Sequence, residues 1–375
     1  MKKTGIVVWL LKAIVCILCV FLTGLLLCVF VLGSGENGKA AQHGGTGYAV
    51  MDRYNNYSAN AISDALDGIL SIKKVYWLSD SDLVAPEPNQ ECYGETDDPA
   101  SLAWLLEDAA ELLDGQETLF STDVQIASGS KVSYYLDETI LAITWKQVIE
   151  KSVYTFSEIK IAHPTQFRRF LAGGEFASSA QYMVSEMAAS VNAVVAANGD
   201  FYNFRNLGMI VYDSQLMRAE GEKMDVCAID RNGDLQFVYA GELTEQADME
   251  AYIAEHGVRF SIAFGPILID DGVIQDVERP YPVGSGYKKN ARAALGQLGQ
   301  LHYLIATVSA EPPYVEGHTL SVFSENLLEL GCKIAYNLDG GQSATIVMND
   351  QVKNYVYERK ISDIIYFATA LPDGE

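Results

Sequence analysis

The stretch Ile334-Ala335-Tyr336-Asn337-Leu338-Asp339-Gly340-Gly341-Gln342-Ser343-Ala344-Thr345-Ile346-Val347-Met348 sets an apolar run on either side of an amide, a carboxylate, two glycines and two hydroxyl residues. The pattern reads as strand, tight turn, strand. Gly340 and Gly341 admit positive φ and let backbone N–H groups come close to a bound anion or sugar, with the charge of Asp339 beside them. A second reading of the same pattern is an ordinary hairpin with Asp-Gly in its turn.

Upstream, β-branched and apolar residues alternate from about Lys131 onward, and Val148 to Ala162 reads as a strand or strand pair. Ser178 or Ser179 caps a predicted helix through Met187 and Ala188. The buried strand Val191 to Ala197 follows, ending in Asn198-Gly199-Asp200-Phe201-Tyr202-Asn203. Strand pairs are expected across Asp213-Ser214 and across Asn232-Gly233, the second being a strong hairpin signal. A helix is expected around Asp248 to His256, with His256 as a dipole partner at its end. Asp270-Asp271 can hold a cation, but Asp-Gly between apolar runs reads first as a turn.

A strand opening at Asn290 carries Arg292 in a small apolar context and pairs with Leu301 to Val308. A buried arginine needs anionic or several carbonyl partners, so Arg292 reads as a structural ion pair or an anion clamp. His302, on the paired strand, reads as a satisfied core histidine. Glu316-Gly317-His318-Thr319-Leu320 introduces a helix to about Leu330, capped by Gly331, and Ile361 to Ala368 is a terminal strand behind Glu358-Arg359-Lys360. The fold class is therefore α/β of the α+β kind, a mixed, largely antiparallel sheet with flanking helices.

In front of this domain, residues 130–375, the chain is organised differently. Lys2, Lys3 and Lys12 precede Ala13 to Gly33, about 21 residues without a charge, and roughly 20 suffice to cross a bilayer. The lysines on the early side put the N-terminus in the cytoplasm and the rest outside, so residues 1–33 read as a cytoplasmic stub and transmembrane anchor in the lipid bilayer. A cleaved signal peptide ending near Gly38-Lys39-Ala40 is the second reading. Residues 34–47 form a glycine-rich linker. Residues 48–129 read as a helical accessory region, with one helix from Tyr48 to about Leu78 and another capped by Asp98 and opened by Pro99. The acidic segment Ser79 to Asp98 between them reads as a loop.

The 375 residues carry a net charge of -23 and are 49% hydrophobic, which supplies a core and disfavours nucleic acid as a partner. Cys16, Cys19 and Cys28 fall in the apolar segment, and Cys92, Cys227 and Cys332 lie far apart with no zinc-ligand spacing. No metal or other cofactor is expected, although Asp200, Asp339 or the Asp270-Asp271 pair could serve a divalent cation.

Three constellations in this order, Asn-Gly-Asp-Phe-Tyr after a strand, Phe264-Gly265-Pro266 through Arg292 to Gly296, and Asn337-Leu338-Asp339-Gly340-Gly341, resemble the phosphodiester glycosidase family, which includes bacterial members associated with exopolysaccharide. The resemblance covers roughly Ser130 to Leu371. It implies cleavage of a sugar joined through its anomeric carbon to a phosphodiester, in a phosphoglycan or smaller sugar-1-phosphodiester. The chain departs from the family pattern at Gln342, where a third glycine is common, and at Ala293, where a hydroxyl residue is common.

Such chemistry builds positive charge on a sugar ring and releases a phosphate that leaves readily. It needs a carboxylate near the anomeric carbon and cations or N–H donors on the phosphate. Asp200 and Asp339 are the candidate carboxylates and Arg292 the phosphate clamp, with Arg359 as a second cation. Gly340, Gly341 and Ser343 form a candidate anion cradle. Asn198, Gly199 and Asn337 are candidate sugar contacts, and His318 a candidate acid or base. Two other readings stay open: a non-catalytic sugar-phosphate-binding module of the envelope, and a metal-dependent phosphodiesterase that cuts P–O.

Overall fold

The computed structural model describes residues 76–80, 82–200, 202–309 and 317–372. The expected anchor at 13–33, the linker and nearly all of the first expected helix lie outside them. Among the described residues no helix is long and apolar enough to cross a membrane.

Two antiparallel sheets form the body of the α+β fold. The larger has nine strands in the order Tyr93–Thr96, Val132–Leu136, Ile140–Ile149, Ser152–Ile161, His302–Ser309, Arg292–Gly299, Ile334–Leu338, Ile267–Asp270 and Val273–Ile274. The smaller has five, in the order Gln351–Val352, Ile346–Met348, Val195–Asn198, Asp363–Phe367 and Phe167–Leu171. One core joins the inner faces, with Ile140, Ala142, Ile159, Leu295 and Leu338 from the first meeting Phe167, Val195, Ala197, Ile346 and Phe367 from the second. Phe167 and Phe367 stack across adjacent strands at 4.5 Å and 11°, an arrangement that adds about 0.5–1.5 kcal/mol beyond burial.

The outer faces are covered too, which explains the unbroken apolar runs in the central strands. Leu141, Ile143 and Trp145 alternate with Ile140 and Ala142 and pack under Leu102, Leu105, Phe120, Phe323 and Leu327. Phe323 and Leu327 belong to the helix Leu320–Glu329, whose N-cap Thr319 accepts from Val322 N at 3.3 Å. The five-stranded sheet is backed by Val184, Met187 and Ala188 of the helix Val184–Ser190. A three-stranded sheet and the hairpin Gly208–Tyr212 with Gln215–Glu220 pack against the helix Gln246–His256.

Several local expectations change. The helix expected from Ser178 or Ser179 begins at Val184, where the Glu186 carboxylate accepts from Met183 N at 2.9 Å; Ser178 Oγ instead turns the preceding loop by accepting from Ala180 N. Asp98 caps and Pro99 opens the second expected helix, in a 3-10 turn. The segment Ser79 to Asp98, expected as loop, contains the strand Tyr93–Thr96. That strand pairs with Val132–Leu136 across the expected boundary at residue 130, and the compact unit runs from Val75. A four-residue strand of half-buried residues carries too weak an alternation to be seen in sequence.

Candidate active site

The motif 334–348 is not a hairpin. Its first strand, Ile334–Leu338, belongs to the nine-stranded sheet and its second, Ile346–Met348, to the five-stranded one, so Asp339 to Thr345 is the crossover between them. The segment is held by Gly341, at φ 61° with its N–H on Ala291 O at 3.0 Å, and by Gly340, where a Cβ would stand 2.6 Å from the same carbonyl oxygen. Any side chain at 340 would drive the crossover off the strand beneath it.

Asp339 is where this crossover meets solvent. Its side chain keeps 15% exposure, and Oδ2 lies 2.7 Å from the Arg359 guanidinium, whose Nε donates to Ser343 Oγ at 2.6 Å. Burial raises the Asp339 pKa from its ordinary value, opposed by hydrogen bonding to Ser343, the charge of Arg359 and the Gly340 N–H. The chain brings Arg359 there on the segment 353–360, which is pinned twice: Asn354 Nδ2 donates to Ala344 O at 2.7 Å, and the Glu358 carboxylate accepts from Ser185 N and Oγ at 3.0 and 2.8 Å. Asn198 ties the second constellation to the first, with Nδ2 donating to Asp339 O at 2.8 Å and Oδ1 accepting from Thr345 N at 3.1 Å.

Asp200 has a different environment. Its side chain is sealed from solvent and lies 3.0 Å from Arg169 NH2, which also meets Asp363 at 2.8 Å. Its two oxygens accept from Tyr202 N and Ala263 N, each at 2.8 Å. Two carboxylates share one buried guanidinium. Burial pushes the Asp363 pKa up to about 8, against the pull of Arg169 and helped by the charge of Asp200. Arg169, opposed by burial, is raised by both carboxylates. Gly199 has no room for a side chain, because a Cβ would meet Asp363 Oδ2 at 2.1 Å.

Other expected site residues are held by the fold itself. Arg292 is buried, and its Nε donates to His318 O at 3.0 Å while NH2 donates to Ser285 O and Lys288 O. It takes the carbonyl alternative that sequence had left open, and burial lowers its pKa to about 10. His318 pairs through its backbone with Asn290, and its ring packs 5.6 Å from Tyr154 on the helix-covered face of the large sheet. Asn337 donates to Gly265 O; among the described residues its Oδ1 has no hydrogen-bond partner. Ala293 is a core residue of the sandwich, whereas Gln342 is exposed at the crossover. Asp270 accepts from Tyr239 OH and leads into a turn with Asp271 at φ 46°. Among the described residues no group of three or more His, Cys, Asp or Glu is placed to hold a metal ion.

Sequence reading passed over Arg169 and Asp363. The signals were Phe-Arg-Arg-Phe-Leu at 167–171 and Asp-Ile-Ile-Tyr-Phe at 363–367, charges inside apolar strands that must find partners when buried.

Residues 191–368 match the family model described as phosphodiester glycosidase. The human N-acetylglucosamine-1-phosphodiester alpha-N-acetylglucosaminidase is 28% identical over 236 residues, 60% of this chain and 43% of that protein. The bovine protein of the same description is also 28% identical, over 60% of this chain and 42% of its own length. The chain thus spans less than half the length of these curated relatives. A zebrafish catalytic domain of that description, solved in a form auto-inhibited by its pro-peptide, superposes with a TM-score of 0.50 at 20% identity, covering 69% of this chain and 92% of that one, and shows a shared fold.

Proposed function

We infer, from the match of residues 191–368 to the phosphodiester glycosidase family model, a hydrolase that cleaves the anomeric C–O bond of a sugar-1-phosphodiester. The observation that carries this reading is the half-open Asp339–Arg359–Ser343 cluster on the crossover between the two sheets. Asp339 is the reacting carboxylate and Arg359 the cation that meets the phosphate. Arg292, with its Nε and NH2 on carbonyls, shapes the strand beneath them.

Water adds to the anomeric carbon while the bond from that carbon to the phosphate oxygen breaks, its electron pair leaving with the phosphate. Asp339 takes the proton from the water, and the rise that burial gives its pKa makes it a stronger base than an exposed carboxylate. The Arg359 side chain keeps 40% exposure, and its planar fork matches a phosphate once drawn off Asp339. As the phosphate draws Arg359 away, Asp339 loses the charge that lowers its proton affinity and becomes a stronger base. Asp200, sealed beside Arg169, holds the backbone at 202 and 263 in place and does not reach substrate.

The apolar stretch at 13–33 supports an anchor in a lipid bilayer with the catalytic domain on the extracytoplasmic side, where a cell-envelope or exopolysaccharide glycan is the substrate. Incubation with the methyl phosphodiester of N-acetylglucosamine-1-phosphate in isotope-labelled water tests the reaction. The expected products are free sugar carrying the label and unlabelled methyl phosphate. Label in the phosphate, or sensitivity to chelator, would replace C–O cleavage by metal-dependent P–O cleavage; binding without any product would leave a sugar-phosphate-binding module.

A further inference from the structure

The inner face of the nine-stranded sheet is apolar in its middle and rich in hydroxyls toward the end that carries Asp339. Strand pairing aligns Lys146, Thr155, Thr307, Ala293 and Leu338 in one row across five strands, and Asp339 follows the last of them. Ala293 and Leu338 belong to the core between the sheets, as do Ile159 and Ile305, an even number of residues from Thr155 and Thr307, so the row faces inward. Thr155 and Thr307 are 0% exposed, and Ser309, two residues beyond Thr307, is 2% exposed. Among the described residues none of these three hydroxyls has a hydrogen-bond partner. One row further in, the opposed hydroxyls of Thr144 and Ser157 join at 2.5 Å, whereas the opposed Thr155 and Thr307 leave both of theirs unjoined. A buried hydroxyl without a partner costs stability, and three on one face serve nothing in the fold itself.

The segment that delivers Arg359 runs along the same row. Tyr355 lies at 4.4 Å from Lys146 Nζ, at one end, and Arg359 meets Asp339 at 2.7 Å, at the other. The chain from Tyr355 to Arg359 reaches at most about 14 Å and the row is about 19 Å long, the two long side chains supplying the rest, so the segment spans the threonines between. Their spacing suits one glycosyl unit. Thr307 stands two strand spacings, about 10 Å, from Leu338, close to the length of a pyranose held by a hydrogen bond at each end. Thr155 and Ser309 lie about 5 and 7 Å from Thr307, and Ala293 adds only a methyl group between Thr307 and Leu338.

We propose that Thr155, Thr307 and Ser309 are the sugar-recognising groups of this protein, hydrogen-bonding the hydroxyls of the glycosyl unit whose anomeric carbon stands at Asp339. The proposal rests on the reading of Asp339 and Arg359 given above and adds the groups that select the sugar. In this structure the segment 353–360 covers them. The phosphate that draws Arg359 off Asp339 releases the segment at that end, and the sugar enters beneath it and gives the three hydroxyls the partners they lack. A recess built this way selects a sugar with free hydroxyls and rejects a deoxy or acylated one, because either change leaves a buried hydroxyl unpaired.

The test is binding, measured by calorimetry on the full chain carrying Asp339→Asn so that nothing is hydrolysed. The probes are the methyl phosphodiester of N-acetylglucosamine-1-phosphate and analogues each lacking one sugar hydroxyl. Thr155→Val and Thr307→Val should each weaken the intact probe about tenfold at an unchanged or higher melting temperature, since valine keeps the shape and removes an unpaired hydroxyl. Thr307→Ser should keep the affinity. At least one deoxy analogue should bind about tenfold more weakly than the intact probe when both threonines are present, and equally with it in a valine variant. An affinity that neither valine moves, a deoxy series with the same losses in every variant, or no binding of the intact probe overturns the proposal. So does a melting temperature that falls with the hydroxyls, which would give them to the fold. If a valine variant fails to fold, Ser309→Ala reads the same comparison. Hydrolysis by the unmodified chain is scored separately: a probe bound through the threonines but left uncut removes the catalytic reading alone, and a probe cut with no dependence on the threonines removes the recess alone.

Discussion

Two arginine–carboxylate clusters, whose aspartates Asp339 and Asp200 follow the strands Ile334–Leu338 and Val195–Asn198, have opposite exposures. Arg359 with Asp339 is open to water on one side, the arginine at 40% exposure and the aspartate at 15%. Arg169 with Asp200 and Asp363 is sealed at 0% for every side chain. A carboxylate that water and substrate can reach can change its proton during a reaction, while one locked to a buried guanidinium and two backbone N–H groups serves to hold loops in place. The same residue types therefore divide into a reacting pair and a framework.

The largest effect that would test this division is Asp339→Asn. Its kcat should fall about a thousandfold or more, in the range for a lost acid–base group, with a melting temperature close to that of the parent. Equal loss from Asp200→Asn with unchanged melting would erase the distinction. Next, Arg169→Met should cost about 3–5 kcal/mol of stability in urea denaturation, because the Asp200 carboxylate is then left buried without a counter-charge. A loss within the range of an ordinary surface change would show that water reaches the cluster. Arg359→Gln should lower kcat/KM about 10- to 100-fold at nearly constant stability, with Arg359→Lys restoring part of it, since a point charge replaces a two-pronged donor.

The smallest effect is a slope. Asp363 holds its proton more tightly folded, at about 8, than an exposed aspartate does. Its contribution to stability is complete below the ordinary carboxylate pKa and is lost as pH rises through about 8. Urea midpoints should therefore decline from about pH 5 to about pH 9, and Asp363→Asn should flatten the decline. An unchanged slope would show that Asp363 does not hold that proton.

Much of this was visible in the chain itself. The hairpin turns announced themselves because Asp213-Ser214 and Asn232-Gly233 supply residues that tolerate the required backbone angles, and Asp98-Pro99 and Gly331 bounded helices for the same local reason. Asp339, Gly340 and Ser343 stood out because glycines, a carboxylate and a hydroxyl between apolar runs have few structural uses. The partner of Asp339 was less legible. Arg292 lies 47 residues away in sequence on a strand that pairs with the motif, yet its guanidinium holds carbonyls, whereas Arg359 reaches Asp339 only because Asn354 and Glu358 fold its segment back over the crossover.

The sequence by itself determined the α+β class, the strand-rich texture after residue 130 and the residues of the central motif. These depend on local pattern, which survives in a linear string. Tertiary structure alone decided that the motif bridges two sheets, that Asp200 is sealed by Arg169 and Asp363, and that Arg359 meets Asp339. Which charge faces water, and which faces another charge, depends on how strands far apart in sequence are stacked, and no spacing along the chain records that.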